Sequence, residues 1–257
     1  MVARPSLSIV MPCLNEEANV ADAIASSLAA LDAHGIAGEV IVVNDGSTDG
    51  TQAVAESFAG RDPRVRVLRH PQRMGIGASF FDGVRAARMD CVTMFPGDNE
   101  NDAHDALTYF AIARDVDIIV PFIYNIEIRS RVRRIVSSLY RFIINVSFGM
   151  NLNYTNGTVI YRRSILQDVD LRSKGFFYQA ELLIRLIRRG YLYAETPHFL
   201  GHRSSGKTKA LTLKSFRDVA AAYLRLAFEV HVLRTTGAAG LPLHPDSATA
   251  RRLRQAA

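Results

Sequence analysis

Cysteine is scarce in this sequence of 257 residues, where Cys13 and Cys91 stand far apart, each within an apolar run. Two isolated thiols provide neither a disulfide framework nor the ligand spacing of a zinc site. We therefore predict that the protein works in a reducing compartment.

Long apolar runs are also missing. No uninterrupted stretch reaches the roughly 18 apolar residues that a membrane-spanning helix needs. The apolar stretch near the N-terminus is too short for a signal peptide, because Pro12 and Asn15 interrupt it. These absences predict a cytoplasmic protein.

The net charge of +6 fits an anionic substrate, an anionic membrane face or a basic tail. We predict no nucleic-acid partner, and the sequence leaves open whether the chain forms a homo-oligomer.

Short strand-like segments alternate with longer Ala-rich helical segments up to about residue 120. This alternation predicts an α/β fold with a mostly parallel central sheet flanked by helices. We predict a single domain over 1–236 and a disordered tail over 237–257. The expected strands are 7–11, 39–44, 65–70, 91–95, 117–122 and 157–163. The expected helices are 19–34, 51–59, 77–88, 102–114 and 176–191, with a long amphipathic helix over about 213–234.

Polar residues follow the second expected strand, at the edge where parallel α/β sheets bind ligands. We predict that Asp45 accepts an N–H group of a ligand, while Gly46 and Ser47 form a tight turn. Asp49 is predicted to cap the helix that begins near Thr51.

The first and third strands also end in distinctive segments. In "MPCLNEE" the strand stops at Pro12, so Glu16 lies in a loop that can help Asp45 to hold a flat ring with donors. In "RMGIGASFFDG", Gly75 and Gly77 open a helix whose free N–H groups can face phosphates. A nicotinamide site is disfavoured, because this segment does not continue as G-x-G-x-x-G.

The segment "FPGDNEND" follows the fourth strand and brings Asp98, Glu100 and Asp102 close together. Clustered oxygen ligands of this kind suit Mg²⁺ or Mn²⁺ carrying a diphosphate. We favour this interpretation because the phosphate-binding glycines precede it on the same edge. The alternative is a polar turn before a helix capped by Asn101 or Asp102.

Two basic segments lie in the second half. Segment 129–150 is a basic amphipathic helix, predicted either to lie on a membrane surface or to pack on the core with a solvated basic face. "HRSSGKTKA" contains Arg203 and Lys207 and is predicted to close over a phosphorylated substrate, the alternative being a solvated basic loop. The apolar positions of 129–150 are Ile135, Val136, Leu139, Phe142, Ile143 and Val146.

Taken in order, "SIVMPCLNEEANV", "EVIVVNDGSTDGT", "RMGIGASFFDG" and "FPGDNE" resemble the nucleotide-sugar motifs of the family 2 glycosyltransferases. "NYTNGTVIYRR", "FFYQAELLIRLIRRGY" and "HRSSGKTKA" resemble the branch that glycosylates polyprenyl phosphates, as dolichyl-phosphate mannosyltransferase does. The resemblance covers about 7–209. It implies a nucleotide-diphosphate-sugar transferase fold, a UDP- or GDP-sugar donor, Mg²⁺ or Mn²⁺, and a polyprenyl phosphate acceptor. The protein would then be peripheral on the inner face of the membrane.

The resemblance also implies roles for individual residues. Asp98 and Glu100 would hold the metal, and Arg203 would contact the donor diphosphate, with Lys207 beside it in the closing loop. With the residues already singled out, the donor site comprises Pro12, Leu14, Asn15, Glu16, Val43, Asp45, Gly46, Ser47, Gly75 and Gly77.

Two departures from the family pattern bear on these roles. Pro96 stands where the metal motif usually has its first Asp, and Glu100 where it has Gln, so metal coordination is predicted to be altered. Ile76 stands where a common variant has Lys between the glycines, and Arg73 or Arg203 would compensate for the missing charge.

The acceptor decides whether the reaction needs a base. Many family members with hydroxyl acceptors carry a Glu-Asp pair where this chain has Gln179, Ala180 and Glu181, so the position expected of the base lacks its usual residue. A phosphate monoester has a second pKa near ~6 and is already nucleophilic at neutral pH. The sequence therefore favours inverting transfer to a phosphate acceptor held by Arg129, Arg131 and Arg133. Transfer to a soluble hydroxyl with Glu181 as base, and a non-catalytic sugar-nucleotide-binding module, are the alternatives.

Overall fold

The computed structural model describes residues 4–128, 130–167, 169, 172–173, 175–199, 213–233 and 242–256. In these residues the strands form one seven-stranded sheet. The strands are β1 (Leu7–Cys13), β2 (Gly38–Asn44), β3 (Val65–Arg69), β4 (Cys91–Met94), β5 (Ile118–Ile123), β6 (Ile160–Arg162) and β7 (Tyr193–His198). The α-helices are α1 (Val20–Ala33), α2 (Thr51–Ala59), α3 (Ile76–Ala86), α4 (Ala103–Leu107), α5 (Arg131–Phe148), α6 (Tyr178–Arg188), α7 (Leu213–His231) and α8 (Ala248–Ala256).

The strand order is β3-β2-β1-β4-β6-β5-β7. All neighbouring pairs are parallel except those of β6, which runs antiparallel to both β4 and β5. The predicted α/β fold with a mostly parallel sheet is therefore confirmed. The carboxyl ends of β2, β1 and β4 lie side by side, and this edge is where open α/β sheets bind ligands.

Helices cover both faces of the sheet, so the central strands are buried throughout. Successive side chains of a strand point to opposite faces, and β1 accordingly supplies Ile9 and Met11 to one apolar layer and Val10 to the other. α1, α2 and α4 pack on the first layer, whereas α3 and α6 pack on the second. This two-sided burial explains why the strands are nearly continuous apolar runs.

The apolar face of α5 faces away from this core. α5 is anchored by Ile144 and Phe148, which pack with residues of α6 and α7. The Ser147 and Tyr223 hydroxyls, 2.7 Å apart, also join α5 to α7. The alternative in which the amphipathic segment packs its apolar stripe on the core is therefore not what the structure has. We call the exposed residues Val132, Ile135, Val136, Leu139, Phe142, Ile143 and Val146 the α5 apolar face.

Several elements differ from the sequence predictions. β1 does not stop at Pro12 but continues to Cys13, because Pro12 and Cys13 still pair with Val43 and Asn44 of β2. The expected helix 102–114 is divided into α4 and a 3-10 helix, Phe110–Arg114. β7 was not predicted, and the segment 237–257 predicted as a disordered tail contains α8. The buried Asp117 carboxylate accepts hydrogen bonds from the N–H groups of Ala248 (2.6 Å) and Thr249 (2.9 Å), which fixes the start of α8. In the part of the chain that the structure describes, no helix is long and apolar enough to cross a bilayer.

Candidate functional site

The loops after β1 and β2 are tied to one another by hydrogen bonds. Asn15, which has a positive φ of 55°, donates its backbone N–H to Ser47 Oγ (3.0 Å) and accepts at Oδ1 from the Thr48 N–H (2.9 Å). The Glu16 N–H donates to Thr51 Oγ1 (2.9 Å) at the start of α2. The structure thus brings the candidate residues of the first two strand ends into a single loop pair.

Asp49 is hydrogen-bonded at the start of α2, whereas Val43 is buried in the sheet below it. Asp49 Oδ1 accepts from the Thr51 N–H (3.1 Å), so its carboxylate satisfies the first N–H of α2. Its Oδ2 accepts from the Glu17 N–H (3.1 Å), which again connects the two loops. Val43 and Pro12 are buried beneath this region, while Leu14 is partly exposed. Pro12 and Val43 are also register partners in the β1–β2 pair.

Asp45 is engaged by protein donors rather than open to solvent. Its Oδ1 accepts from the Met74 N–H (2.7 Å) and lies 2.8 Å from His70 Nδ1, and its Oδ2 accepts from the Gly75 N–H (2.9 Å). A carboxylate has about four acceptor positions, so about one remains for a ligand. Asp45 therefore fixes the loop before α3 against the end of β2.

Glycines after β2 and at the start of α3 allow these two segments to lie close together. Gly75 has a φ of 100° and lies directly before α3, whose first N–H groups point toward the same edge. Gly46 has a φ of 74°, and a Cβ there would lie 2.7 Å from the carbonyl carbon of Gln72. Gly77 is buried in the first turn of α3. The loop can therefore lie close to β2 and still present backbone donors, as a phosphate site requires.

The loop after β4 is packed against the end of β1. The Gly97 N–H donates to the Pro12 carbonyl oxygen (3.1 Å), and a Cβ at Gly97 would overlap Cys13 Sγ. Asn99, with a φ of 54°, accepts from the Ser26 hydroxyl at Oδ1 (3.1 Å). These contacts fix the loop that contains both predicted metal ligands.

The pKa of the Cys13 thiol depends on its burial and on the charges around it. Burial raises its pKa to about 12, and the negative charges of Glu16, Asp98 and Asp49 add to the effect. The carboxylates of three loops thus act on one buried atom, which lies where β1, β2 and β4 end. Cys13 remains a neutral thiol there, so it packs against the loops and does not act as a nucleophile.

The two predicted metal ligands lie on this loop. Asp98 is partly exposed, and its Oδ1 accepts from the Glu100 N–H (3.2 Å), while Glu100 is exposed. Within the described residues, no group of three or more His, Cys, Asp or Glu could hold a metal. Mg²⁺ is commonly bound by one or two carboxylates together with substrate phosphates rather than by an all-protein cage. The donor set therefore fits an ion that arrives with a diphosphate.

The basic candidates are divided between described and undescribed parts of the chain. Arg131 and Arg133 are exposed in the first turn of α5, where the Ser130 side chain accepts from the Arg133 N–H (3.4 Å). Arg129, Arg203 and Lys207 lie outside the described residues.

Glu181 is fully buried, at 0% exposure. Its Oε1 accepts from Arg185 Nε (2.9 Å), and its Oε2 accepts from the Ser173 N–H (3.0 Å). Arg185 also bonds Glu229 of α7 (2.6 Å). Burial alone would lower the pKa of Arg185, but the hydrogen bonds to Glu229 and Glu181 outweigh it and raise the pKa. Glu181 thus belongs to a buried ionic cluster between α6 and α7.

Sequence reasoning missed His70 and Asp82. His70 Nδ1 lies 2.8 Å from Asp45 Oδ1, and His70 Nε2 lies 3.0 Å from Asp82 Oδ2. His70 directly follows β3 and Asp82 is in α3, so no sequence motif joins them. The only available signal was that both flank the Gly75–Gly77 segment.

This chain is similar in sequence to several curated proteins. It is 30% identical over 169 residues to the dodecaprenyl-phosphate galacturonate synthase of Rhizobium johnstonii, covering 64% of this chain and 50% of that protein. It is 30% identical over 186 residues to the polyprenol monophosphomannose synthase of Mycolicibacterium smegmatis, covering 66% of this chain and 69% of that protein. The chain thus spans half the length of the first relative.

Solved structures show the same fold. Glucosyl-3-phosphoglycerate synthase from Mycobacterium tuberculosis, in complex with uridine diphosphate, superimposes with a TM-score of 0.67 at 22% identity, covering 87% of this chain and 80% of that one. The same enzyme with Mn²⁺, UDP-glucose and phosphoglyceric acid gives a TM-score of 0.66 at 22% identity, with the same coverage of 87% and 80%. The predicted nucleotide-diphosphate-sugar transferase fold is thereby confirmed.

The family model for glycosyl transferase family 2 matches residues 8–170. This region contains the loops after β1, β2 and β4 and the start of α3, which together form the candidate site. The chain belongs to glycosyl transferase family 2.

Proposed function

We propose that this chain transfers a sugar from a UDP- or GDP-sugar to a polyprenyl phosphate, with inversion, while bound peripherally to the inner face of a membrane. The α5 apolar face carries this proposal, because it begins beside the exposed Arg131 and Arg133. A lipid phosphate requires cations for its headgroup and an apolar surface at the bilayer. The names of the two curated relatives, both polyprenyl-phosphate sugar synthases, support the same acceptor.

The donor would lie at the shared ends of β1, β2 and β4. Asp45 has about one acceptor position for the base, and the backbone donors that start α3 suit the diphosphate. Asp98 and Glu100 would hold Mg²⁺ or Mn²⁺, which when bound neutralises charge on the departing nucleotide diphosphate. The Mn²⁺ and UDP-glucose in the solved relative support this assignment.

The remaining steps depend on the side chains of this chain. Arg203 and Lys207 supply positive charge to the diphosphate as it leaves the anomeric carbon. Arg131 and Arg133 hold the acceptor phosphate, whose oxygen attacks from the face opposite the leaving group and so inverts the centre. No base is required, because a phosphate monoester is largely deprotonated at neutral pH, with a second pKa near ~6.

The contacts of Glu181 argue against the alternative reaction, transfer to a soluble hydroxyl acceptor with Glu181 as base. A general base must be within hydrogen-bond reach of the acceptor proton. Both oxygens of Glu181 are instead engaged by Arg185 and by the Ser173 N–H, out of contact with solvent. This arrangement supports an acceptor that needs no base.

The reaction is tested with UDP- and GDP-sugars, Mn²⁺ and undecaprenyl phosphate in anionic vesicles. We expect a lipid-linked sugar from one donor, and thermal stabilisation of about 2.7 kcal/mol at a hundredfold excess of that donor over its Kd. Product from a soluble hydroxyl acceptor alone would support the rival transferase. Donor binding without transfer to either acceptor would support a non-catalytic binding module.

Membrane binding through the α5 apolar face is tested with the double variant Leu139→Glu and Phe142→Glu. Burying each apolar side chain contributes about 1.5–3 kcal/mol, so we expect vesicle partitioning to fall on the order of a hundredfold. The measurement is sedimentation with anionic vesicles.

The matched control is Ser138→Glu, which adds one negative charge at an exposed position of the same helix outside the apolar face. We expect it to lower vesicle binding far less than the double variant. Equal losses in control and double variant would mean that charge alone governs binding, and would contradict docking by the apolar face.

The closing-loop role is tested with Arg203→Ala and Lys207→Ala. Each change is expected to lower turnover by about a hundredfold, because it removes a cation at developing negative charge. Donor binding should weaken far less, since the loop acts on the leaving diphosphate. Single-turnover rates and donor Kd values distinguish the two effects, with Arg252→Ala on α8 as the control. Equal losses in rate and affinity would contradict this role.

A further inference from the structure

His70 occupies an unusual position between two carboxylates. Its Nδ1 lies 2.8 Å from Asp45 Oδ1 and its Nε2 lies 3.0 Å from Asp82 Oδ2, and its side chain is only 11% exposed. Its own backbone N–H donates to the Asn44 carbonyl oxygen (2.9 Å), which fixes the residue at the end of β2. His70 therefore bridges β2 and α3.

This geometry selects the protonated form of the ring. A neutral imidazole carries one N–H group and one acceptor nitrogen. A carboxylate ion has no proton to donate, so in a neutral ring one nitrogen would face an oxygen that it repels. The imidazolium donates to both carboxylates, and such charge-assisted hydrogen bonds are about twice as strong as neutral ones.

The other charges around His70 are few. Asp45 faces it from β2 and Asp82 faces it from α3, and Arg85 of α3 bonds the far oxygen of Asp82 (2.5 Å). The loop before α3 contributes the backbone N–H groups of Met74 and Gly75, which bond Asp45. Charges alternate along the row from Asp45 through His70 and Asp82 to Arg85.

Asp45 connects this row to the candidate donor site. The same Oδ1 that faces His70 accepts the Met74 N–H, and Oδ2 accepts the Gly75 N–H. With His70 uncharged, only one ring nitrogen carries a proton, so the ring can donate to Asp45 or to Asp82 but no longer to both. The link from β2 through His70 to α3 would then be weaker, and the loop that starts α3 would be held only by the Met74 and Gly75 bonds to Asp45 and by a single bond of His70.

We infer that His70 is a positioning residue for the donor nucleotide, and that its protonated form holds Asp45 and the loop before α3 in the binding geometry. The inference rests on the proposed function, because it assumes that a nucleotide diphosphate binds at this edge. His70 does not contact reacting atoms in this scheme. Its loss should therefore act on donor affinity and leave turnover at saturating donor nearly unchanged.

The test measures the Kd of UDP and of GDP with Mn²⁺ between pH 6 and 9 for the parent, His70→Gln and the control His34→Gln. His34 ends α1 at the opposite, amino edge of the sheet. For the parent and the control we expect the same affinity. His70→Gln should bind about tenfold more weakly at pH 6, the loss of a charge-assisted hydrogen bond. The difference between the His70→Gln and parent profiles removes the titration of the nucleotide itself.

A second variant keeps the inference testable if His70→Gln folds poorly. Asp82→Asn leaves the His70–Asp45 contact in place but removes one of the two carboxylates that favour the charged ring. Asp82→Asn should therefore weaken donor binding at pH 6 by less than His70→Gln does, while kcat stays at the parental value.

Three outcomes separate the possibilities. Binding by His70→Gln within twofold of the parent at every pH would overturn the inference, and so would a loss in kcat with unchanged KM. Weaker donor binding by Asp82→Asn than by His70→Gln would overturn it as well. Failure of the parent to bind either nucleotide would instead overturn the proposed function.

Discussion

Replacing Asp98 with Asn is expected to lower the rate of sugar transfer by about a hundred- to thousandfold, as removal of one electrostatic stabiliser of the transition state usually does. Pro96 occupies the position of the usual first carboxylate of the family motif, so the proposed metal site would rely on Asp98 and Glu100 with little redundancy. Asn keeps the shape and the acceptor for the Glu100 N–H (3.2 Å), which makes the change mainly one of charge. The measurement is initial rate against Mn²⁺ concentration.

The control for Asp98 is Asp102→Asn in the same loop. Asp102 accepts from the Asp105 N–H (3.0 Å) at the start of α4, and Asn caps helices as well as Asp does. This control should therefore retain parental activity. Binding of Mn²⁺ with UDP, followed by electron paramagnetic resonance, should weaken in Asp98→Asn alone. A rate for Asp98→Asn equal to that of the control would remove Asp98 from the metal site.

Replacing Glu181 with Ala is expected to lower the free energy of unfolding by about 3 kcal/mol, because it removes a fully buried carboxylate from an ionic cluster and leaves buried donors without their acceptor. Arg185, at 12% side-chain exposure, would keep only Glu229. The backbone N–H of Ser173 would lose its acceptor as well. Urea unfolding measures the change, and Glu56→Ala on the exposed face of α2 should alter stability by less than about 0.5 kcal/mol.

The same position distinguishes a structural Glu181 from a catalytic one. Glu181→Gln keeps the size of the side chain and removes its charge. In folded protein at low temperature, we expect its turnover to remain within about threefold of the parent, since the buried carboxylate touches no acceptor in the proposed scheme. A loss of about a hundredfold or more without loss of stability, the range of a missing general base, would restore the hydroxyl-acceptor rival.

Much of the fold could be predicted because its signals are local. The buried parallel strands are apolar runs, and the helices between them carry one apolar stripe each, so both patterns are visible within short windows. The strand-end loops could be predicted as a group for the same reason, since parallel strands carry their carboxyl ends to one edge. The Asp49–Thr51 contact followed from the preferences of helix starts.

The remaining features depend on contacts between distant segments. A periodic stripe shows that a helix has an apolar face but not what covers it, so the exposure of α5 could not be decided from spacing. α8 is held by Asp117, more than a hundred residues earlier in the chain. β7 contains Pro197, which weakens a strand prediction and is tolerated because β7 is at the edge of the sheet. Glu181 likewise shares Arg185 with Glu229 of α7, a contact between segments more than forty residues apart.

The direction of β6 determines which residues lie beside the loop after β4 that contains Asp98. β6 runs against β4, with Cys91 opposite Arg162 and Val92 opposite Tyr161. Continued by a few residues, this register sets Gly157 and Thr158 across from the start of the loop that carries Asp98. A reversed strand enters the sheet where its neighbours leave it, so here the chain segment leading into a strand, rather than the one following it, borders the candidate site. The Thr93 hydroxyl, which donates to the Val159 carbonyl oxygen (3.1 Å), fastens that incoming segment to β4.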